Sequence, residues 1–589
     1  MVPIINSEAV MQSPQVLIVG SGPAGLVLAL ALLKNSVPTR IIEKDTEHHV
    51  GERGSGIMPR TLEIEHFLGV YDDVQKAGVN TPTLHVFDPN DPYRIMKSAE
   101  LIEHVEPTPT FPITKGVMLG QWRHQAILRK HIEALGGEIE LGSTLIDFKQ
   151  DESGVTAEIL KTTDSEEVTE RSRFAYIVGA DGARSAVRKA LGVTFAGETR
   201  EEGKMYIVDA RIEGLEGEKD VYLWKRHSSM VSPRHTVDPR VFQMIFAGPE
   251  VDFASLRASN SVQAVQNEFE RISHRTDLKI TSITWQGEWR PNIRMADHFC
   301  LGRVFLIGDA AHTHSPTGGQ GLNSSIQDAF NLAWKLSLVL KDHARPTLLD
   351  SYEAERVPVT AEMLKITTVL YNRSFSTHAQ HALERAEAFS PSTKIDSELH
   401  WYRGRKLFQL DLNYRWSSIV FDERFERSAS DVDEVYGVAG HDTRAGDRAP
   451  DAPGLAPFSA VSNGSGVTLT RIFDILNPAM HTALIFVSLP ALGKARTLLR
   501  PLNQLSSGLV HMVLIFPTPV ASSASLPSLD FDCVFEDTKG YAFQGYGVGM
   551  DDDVPTIVLI RPDGMVGAFV RTVAGVEKYL KAVFGSVSS

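Results

Sequence analysis

Short apolar runs ending in glycine punctuate the chain: Gln15 to Gly20 (QVLIVG), Phe174 to Gly179 (FAYIVG) and Arg303 to Gly308 (RVFLIG). Each is continuous rather than alternating and carries β-branched residues, the pattern of a strand buried on both faces of a parallel sheet. A helix that is apolar on nearly all sides is predicted over Ala24–Lys34, and a second strand over Thr39–Glu43. Further on, alternating apolar segments at Met205–Ile212, Val221–Trp224 and Val241–Ala247 predict a different sheet. A long helix is predicted to end near Leu340, and residues 350–430 read as helical. Strands follow at Thr482–Val487, Val510–Phe516 and Pro555–Ile560, a weaker one at Val566–Val570, and a helix at Gly575–Phe584. The fold class is therefore mixed, α/β and α+β. At 589 residues the chain divides into two to four domains, because a single core stops growing well below that length.

The first strand runs straight into Gly20-Ser21-Gly22-Pro23-Ala24-Gly25, a complete GxGxxG. Gly20 makes the tight turn, Gly22 lets the backbone approach a pyrophosphate, and Gly25 lets the helix close on the strand. The helix N-terminus offers free N–H groups and a positive dipole end to that anion. Glu43, at the end of the second strand, stands where an acid accepts from ribose hydroxyls. Strand, turn, helix, strand and acid in this order point to a dinucleotide and leave NAD or FAD open.

Two later segments bear on that choice. After FAYIVG comes Ala180-Asp181-Gly182, where the plain reading makes Asp181 the cap of a helix over Ser185–Leu191. After RVFLIG comes Asp309-Ala310-Ala311-His312 and then THSPTGGQGLN to Asn323. Asp309 at a strand end is placed to accept from ribityl hydroxyls. Gly318, Gly319 and Gly321 expose backbone N–H groups at a helix start, beside what would be the ring of a flavin, whose negative charge on reduction they would stabilise. His312 and His314 have the spacing of a metal pair, but no third ligand lies nearby, so no metal site is expected.

Composition narrows the partners. The net charge of −14 disfavours a nucleic-acid surface. Cys300 and Cys533, far apart, exclude a disulfide framework or a CxxC redox pair. Met1–Pro14 lacks the basic and apolar regions of a secretory signal, and no apolar run is long enough to span a bilayer, so a soluble cytoplasmic setting is expected.

The glycine motif, the Asp-Gly segment and GDAAHTHSPTGGQGLN together resemble the group A flavoprotein monooxygenases, relatives of para-hydroxybenzoate hydroxylase and, more closely, of phenol hydroxylase. The resemblance implies FAD as cofactor, NADPH or NADH as co-substrate without a Rossmann domain of its own, and O2. Its outcome would be hydroxylation of a phenol-like ring through a flavin C4a-hydroperoxide. It implies a Rossmann-type FAD domain (residues 1–80, 112–193 and 290–375) interleaved with a substrate-binding sheet domain (81–111 and 194–289). A helical extension (376–440) and a thioredoxin-like domain without redox cysteines (441–589) would follow, the latter with a packing or homodimer role. By motif, Glu43 would hold the adenosine ribose, Arg53 the phosphates and Gln121 the ribityl region. Asp181 would support the pyrophosphate side and the approach of NADPH, and Asp309 the ribityl chain. Pro316 would sit over the ring, with Gly319, Gln320, Gly321, Leu322 and Asn323 along its pyrimidine edge.

The substrate side departs from the pattern of phenol hydroxylases, which carry an acid before the Arg-Thr-Leu-Glu segment and an Arg-x-Tyr pair on the sheet. Here Ser55 stands at the acid position and Phe242 at the tyrosine position, while Arg240 is retained. An electrophilic flavin oxygen attacks a phenolate far better than a phenol, so proton handling is a catalytic task. Two routes are open: Arg240 favours the phenolate by charge, or the substrate arrives already ionised. The second is preferred, since it suits a polyketide or an aryl acid. Oxidative decarboxylation, Baeyer–Villiger insertion and a non-catalytic flavin-fold carrier are competing readings; the WxWxIP motif of flavin halogenases is absent.

Overall fold

The three glycine-terminated runs lie together in one sheet. Val304–Leu306, Tyr176–Gly179, Val16–Val19, Thr39–Ile42 and Ile139–Glu140 run parallel in that order, and Cys300–Leu301 turns back antiparallel at the edge. The computed structural model describes residues 14–102, 104–162, 167–201, 203–215, 220–259, 261–315, 318–375, 405–426, 428–437, 442–458, 468–505, 508–518 and 531–585. The helix Pro23–Lys34 packs on this sheet between the helices Gln121–Ala134 and Gln320–Leu340. Its residues Leu26 to Leu32 are all buried, which is why its sequence shows no polar face.

The second sheet has seven strands in the order Lys279–Trp289, Met205–Glu213, Val241–Ala247, Ser229–His235, Val221–Arg226, Thr83–Asp88 and Asp91–Glu100. Alternation gives each strand two faces. Tyr206, Val208, Ala210, Phe242, Met244 and Phe246 form one core with Phe253, Leu256 and Phe269 from the helices Phe253–Ser259 and Val262–Ser273. The opposite face, with Ile207, Asp209, Gln243 and Ile245, turns toward the FAD-type domain, because the Gln243 amide and the Asp209 carboxylate bond to the backbone of Arg53 and Glu52.

The third sheet, of eight strands, spans Phe421–Asp422 to Val566–Val570. His481–Phe486, Val510–Pro517 and Cys533–Asp537 are parallel, Thr556–Ile560 is antiparallel to both His481–Phe486 and Val566–Val570, and Val566–Val570 pairs parallel with Phe421–Asp422. Two expectations change here. Phe421 pairs with Ala568, so the C-terminal sheet recruits residues upstream of the expected boundary at 441. The expected helical extension is irregular over 405–426 and 428–437, with only short 3-10 turns at Arg405–Phe408 and Ala429–Glu434. Its polar groups are spent on other partners instead: Arg415 reaches Asp447 and the Trp416 indole the Ala354 carbonyl, while Arg405 pairs within the segment with Asp411. Residues 376–404, with the expected aromatics Trp401 and Tyr402, lie outside the described residues.

Buried charges dock the C-terminal domain on the first. Arg561 makes a two-pronged contact with Glu355 at 2.7 and 2.9 Å, and the Lys335 ammonium reaches the same carboxylate at 2.8 Å. Arg561 also bonds Asp563, whose carboxylate accepts from the Trp334 indole at 3.2 Å. Burial pushes the Lys335 ammonium down to about 8, against the pull of Glu355. Glu355 works against its own burial, and Arg561 and Lys335 hold it well below the usual carboxylate range. A second set joins Arg448 and Arg60 to Glu63 at 3.1 and 2.9 Å.

Removing one partner leaves a bare buried charge. Arg561→Met is therefore expected to cost about 3–5 kcal/mol of stability in denaturant unfolding; a loss near zero would refute this account of the docking. His481, buried beside Trp334 and Tyr579, has its pKa pushed down to about 3 by burial and then by Arg561. The unfolded chain takes up that proton near pH 6.5 and the folded chain does not. Stability is thus lost as pH falls from about 6.5 toward 3, and His481→Phe should flatten that slope by about 1.4 kcal/mol per pH unit. Unfolding free energies measured at about pH 6.5, 5.5 and 4.5, within that window, check it.

Candidate cofactor and substrate site

The parallel strands end in a crowded backbone junction. Gly20 has φ +106°, its N–H donates to the Ile42 carbonyl at 2.8 Å, and a Cβ there would stand 2.4 Å from the Ala180 carbonyl oxygen. A Cβ on Gly25 would stand 2.1 Å from the Gly20 carbonyl oxygen. No side chain fits at either position. At Gly22 the case is the reverse, since a Cβ would meet nothing within 4 Å. That open space lies over the N-terminus of Pro23–Lys34, where a pyrophosphate would sit. Glu43 accepts from both the N–H and the hydroxyl of Ser21, at 2.9 and 3.0 Å, and so braces the loop with one oxygen.

Asp181 adopts the plain reading of its sequence. Its Oδ2 accepts from the Ala186 and Val187 N–H groups at 2.6 and 3.2 Å, at the start of the helix Ala186–Ala190. Its Oδ1 is buried and unpartnered among the described residues. Burial raises its pKa against those bonds.

Asp309 follows the strand Val304–Leu306 inside a 3-10 turn, exposed but on the floor of a groove ringed by protein. Burial raises its pKa, with His312 and Arg53 opposing. The turn is fixed from behind by Asp328, which accepts from the Gly308 N–H at 3.0 Å and from His312 Nε2 at 2.6 Å, and pairs with the Arg356 guanidinium at 2.7 Å. Burial opposes the charge on Asp328, but Arg356 and His312 overcome it and hold the carboxyl at about 2. His312 also bonds His314 at 2.9 Å, so the histidine pair is a hydrogen-bonded brace. Among the described residues no group of three or more ligands could hold a metal.

Beyond the turn, Gly318 and Gly319 have φ +102° and +65°, and the helix Gln320–Leu340 starts with no side chain capping it. In its first turn, a Cβ on Gly321 would meet no atom within 4 Å, so space is open beside the uncapped N–H groups. Gln320 is buried and donates to the Gly318 and Leu407 carbonyls, while Leu322 is half-buried against the core. Asn323 differs from its expected role. Its amide donates to the Gly56 and Gly319 carbonyls and accepts from the Met58 N–H and the Thr61 hydroxyl, at 2.7 to 2.9 Å. With every bonding position spent on protein, the Asn323 side chain ties the two loops together and has none left for a ligand. Pro316 lies outside the described residues.

The loop Gly51–Met58 closes the other side. Arg53 is exposed and left-handed, φ +38°, at a strain of about 1 kcal/mol or more for a residue with a side chain. Its guanidinium stands 5.8 Å from the Trp285 ring and within electrostatic reach of Asp45 and Asp309, which oppose the downward pull of burial on its pKa. Gln121, at the start of Gln121–Ala134, donates its N–H to the Glu52 carbonyl at 2.9 Å, and its side-chain oxygen lies 3.8 Å from a Cβ placed on Gly54. Ser55 is buried with its hydroxyl unpartnered among the described residues.

The register of the second sheet corrects two expectations on the substrate side. Phe242 shares the helix-covered face with Met244 and Phe246, and packs 4.1 Å from the His235 ring, so it is a core residue and not a wall of the cleft. Arg240 sits in the turn before Val241–Ala247, with 74% of its side chain exposed and only a 3.9 Å approach to Asp238. A transverse row on the opposite face takes their place: Trp285, Asp209, Gln243 and Arg234 are successive cross-strand neighbours. Asp209 accepts the Glu52 N–H at 2.7 Å, and Glu52 accepts the Trp122 indole N–H at 3.0 Å. Burial, with Glu52 nearby, pushes the Asp209 carboxyl up to about 6. Arg234 is half-buried, donates to Gln243 at 2.5 Å and has no salt bridge among the described residues; burial lowers its pKa against the carboxylates of Glu52 and Asp209. Sequence reasoning misses these four residues, although Asp209 and Gln243 interrupt otherwise apolar strands and so carry a signal.

The glycine cradle, the uncapped helix start and the Asp309 groove fit the phosphates, pyrimidine edge and ribityl chain of FAD. The FAD binding domain family matches residues 13–367. A flavin-dependent monooxygenase of Mycobacteroides abscessus is 31% identical over 96% of this chain and 99% of its own length. Pentachlorophenol 4-monooxygenase of Sphingobium chlorophenolicum is 28% identical over 96% and 95%. Among solved structures, aklavinone-11 hydroxylase in complex with FAD and aklavinone superposes with a TM-score of 0.72 at 23% identity, covering 98% of this chain and 99% of that one. The chain belongs to the FAD-dependent monooxygenases of the group A flavoprotein hydroxylase family, with FAD as its cofactor.

Proposed function

We propose that this monooxygenase hydroxylates an aromatic ring bearing an already acidic oxygen, a phenol or enol acidified by neighbouring electron-withdrawing groups. The observation that carries this reading is the polar row of the cleft face: Arg234 is a desolvated cation without a salt bridge among the described residues, and Ser55 stands where an acid would handle the proton. A substrate that binds as its anion needs no protein base and offsets the Arg234 charge. Pentachlorophenol and aklavinone, which the relatives' names give, are compounds of that kind.

FAD, when bound, supplies the redox chemistry, with reducing equivalents from NADPH or NADH and one oxygen atom of O2 passing to the ring. The chain's own residues bind and orient. Gly20, Gly22 and Gly25 admit the pyrophosphate, with Asp181 beside it and Glu43 steadying the loop on the ribose side. Arg53 balances the phosphates, and Gln121 and Asp309 hold the ribityl chain. The N–H groups of Gly319 to Leu322 stabilise negative charge on the pyrimidine edge. Ser55 forms part of the substrate wall. The C-terminal sheet is read as a thioredoxin-like domain in a packing role, supported by its two buried ion networks.

NADPH oxidation with oxygen uptake is expected to rise with pentachlorophenol or 2,4-dinitrophenol and not with their methyl ethers. If no phenol accelerates it, the reading fails. Arg234→Gln should raise KM for such phenols about 10- to 100-fold, while Arg240→Gln leaves KM and kcat unchanged; equal effects would overturn the placement of the anion. Asp309→Ala should purify with less FAD, read from flavin absorbance against protein.

A further inference from the structure

The same polar row has a second partner that the substrate reading does not use. Two of its side chains hold the backbone of the flavin-side loop at adjacent residues: Asp209 Oδ2 accepts the Glu52 N–H at 2.7 Å, and Gln243 Nε2 donates to the Arg53 carbonyl at 3.1 Å. These bonds hold the peptides on either side of the Glu52–Arg53 link, and so bracket the one residue of the loop whose backbone conformation a side chain resists, Arg53 with φ +38°. They come from another sheet, 157 and 190 residues along the chain, so nothing local replaces them. Gln243 is itself oriented by Arg234, and Asp209 is held on its strand by direct pairing with Gln243 and Trp285. On the far side, a Cβ on Gly51 would stand 2.7 Å from the Trp285 ring, so the loop lies flush against this row.

We propose that Asp209 and Gln243 are positioning residues for Arg53: they hold its left-handed backbone and thereby keep its guanidinium between Asp45, Asp309 and the face of Trp285, at the FAD groove. If the two bonds are lost, the loop relaxes toward a commoner backbone conformation and the guanidinium turns away from the groove. The substrate sheet then sets FAD affinity, although neither residue touches the cofactor. This rests on the reading of Arg53 as a group that serves FAD.

The test is a mutant cycle read by FAD release from the purified holoenzyme, using flavin fluorescence on dilution. Arg53→Gln, Asp209→Ala and Gln243→Leu should each raise the FAD dissociation constant about tenfold. Asp209→Asn keeps an acceptor for the Glu52 N–H and should stay within about twofold of the parent. In the Arg53→Gln background, Asp209→Ala or Gln243→Leu should add less than threefold, because the group they position is gone. Fully multiplicative effects, or variants that lower the melting temperature without weakening FAD binding, would overturn the proposal. Should Asp209→Ala fail to fold, Gln243→Leu carries the same cycle. If Arg53→Gln alone leaves FAD affinity unchanged, the reading of Arg53 fails and the positioning proposal falls with it. If Arg53→Gln weakens FAD and the sheet variants do not, only the proposal falls.

Discussion

At the carboxyl ends of the parallel strands, three stretches of backbone approach more closely than side chains allow. Gly20 lies against the Ala180 carbonyl, and Gly25 against the carbonyl of Gly20. This contact fixes where Pro23–Lys34 leaves the sheet, and so where its positive end points. It also sets the distance between the Asp181 segment and the first loop. Asp309 ends the neighbouring strand region, so its groove is built on the same junction. A methyl group at Gly20 or Gly25 would separate these segments and dissolve the site without touching a ligand.

Around that junction the protein uses buried polar groups as fasteners. Asp328 fixes the Gly308–Asp309 turn from behind, and Asn323 links the glycine-rich turn to Gly56 and Met58. Asp209 and Gln243 reach across from the second sheet, and Arg561 with Glu355 joins the third. Each group is expensive to desolvate unless its partners are in place, so each is satisfied by a specific neighbour from a distant part of the chain. Specificity of assembly is concentrated at these seams, while the apolar cores beneath them tolerate more variation.

Legibility in the sequence follows locality. The strand, glycine turn and helix over residues 15–34 are readable because the interactions that define them lie within a few residues of one another. The same holds for Asp181 as a helix cap and for the glycine-rich start of Gln320–Leu340. The segment 405–437 misleads because its aromatics and charges pattern like a helix, whereas their partners lie on other segments.

The sequence by itself determined the strand, glycine turn and helix around Gly20–Gly25, the glycine-rich helix start after Asp309, and the wide separation of Cys300 and Cys533. Those conclusions rest on residue type and short spacing. Only the tertiary structure decided the substrate side. A strand has two faces and period two, so whether Phe242 or Gln243 meets the cleft depends on which face the helices Phe253–Ser259 and Val262–Ser273 cover. That choice buried Phe242, left Arg240 in an exposed turn, and brought Arg234, Gln243 and Asp209 to the flavin-side loop.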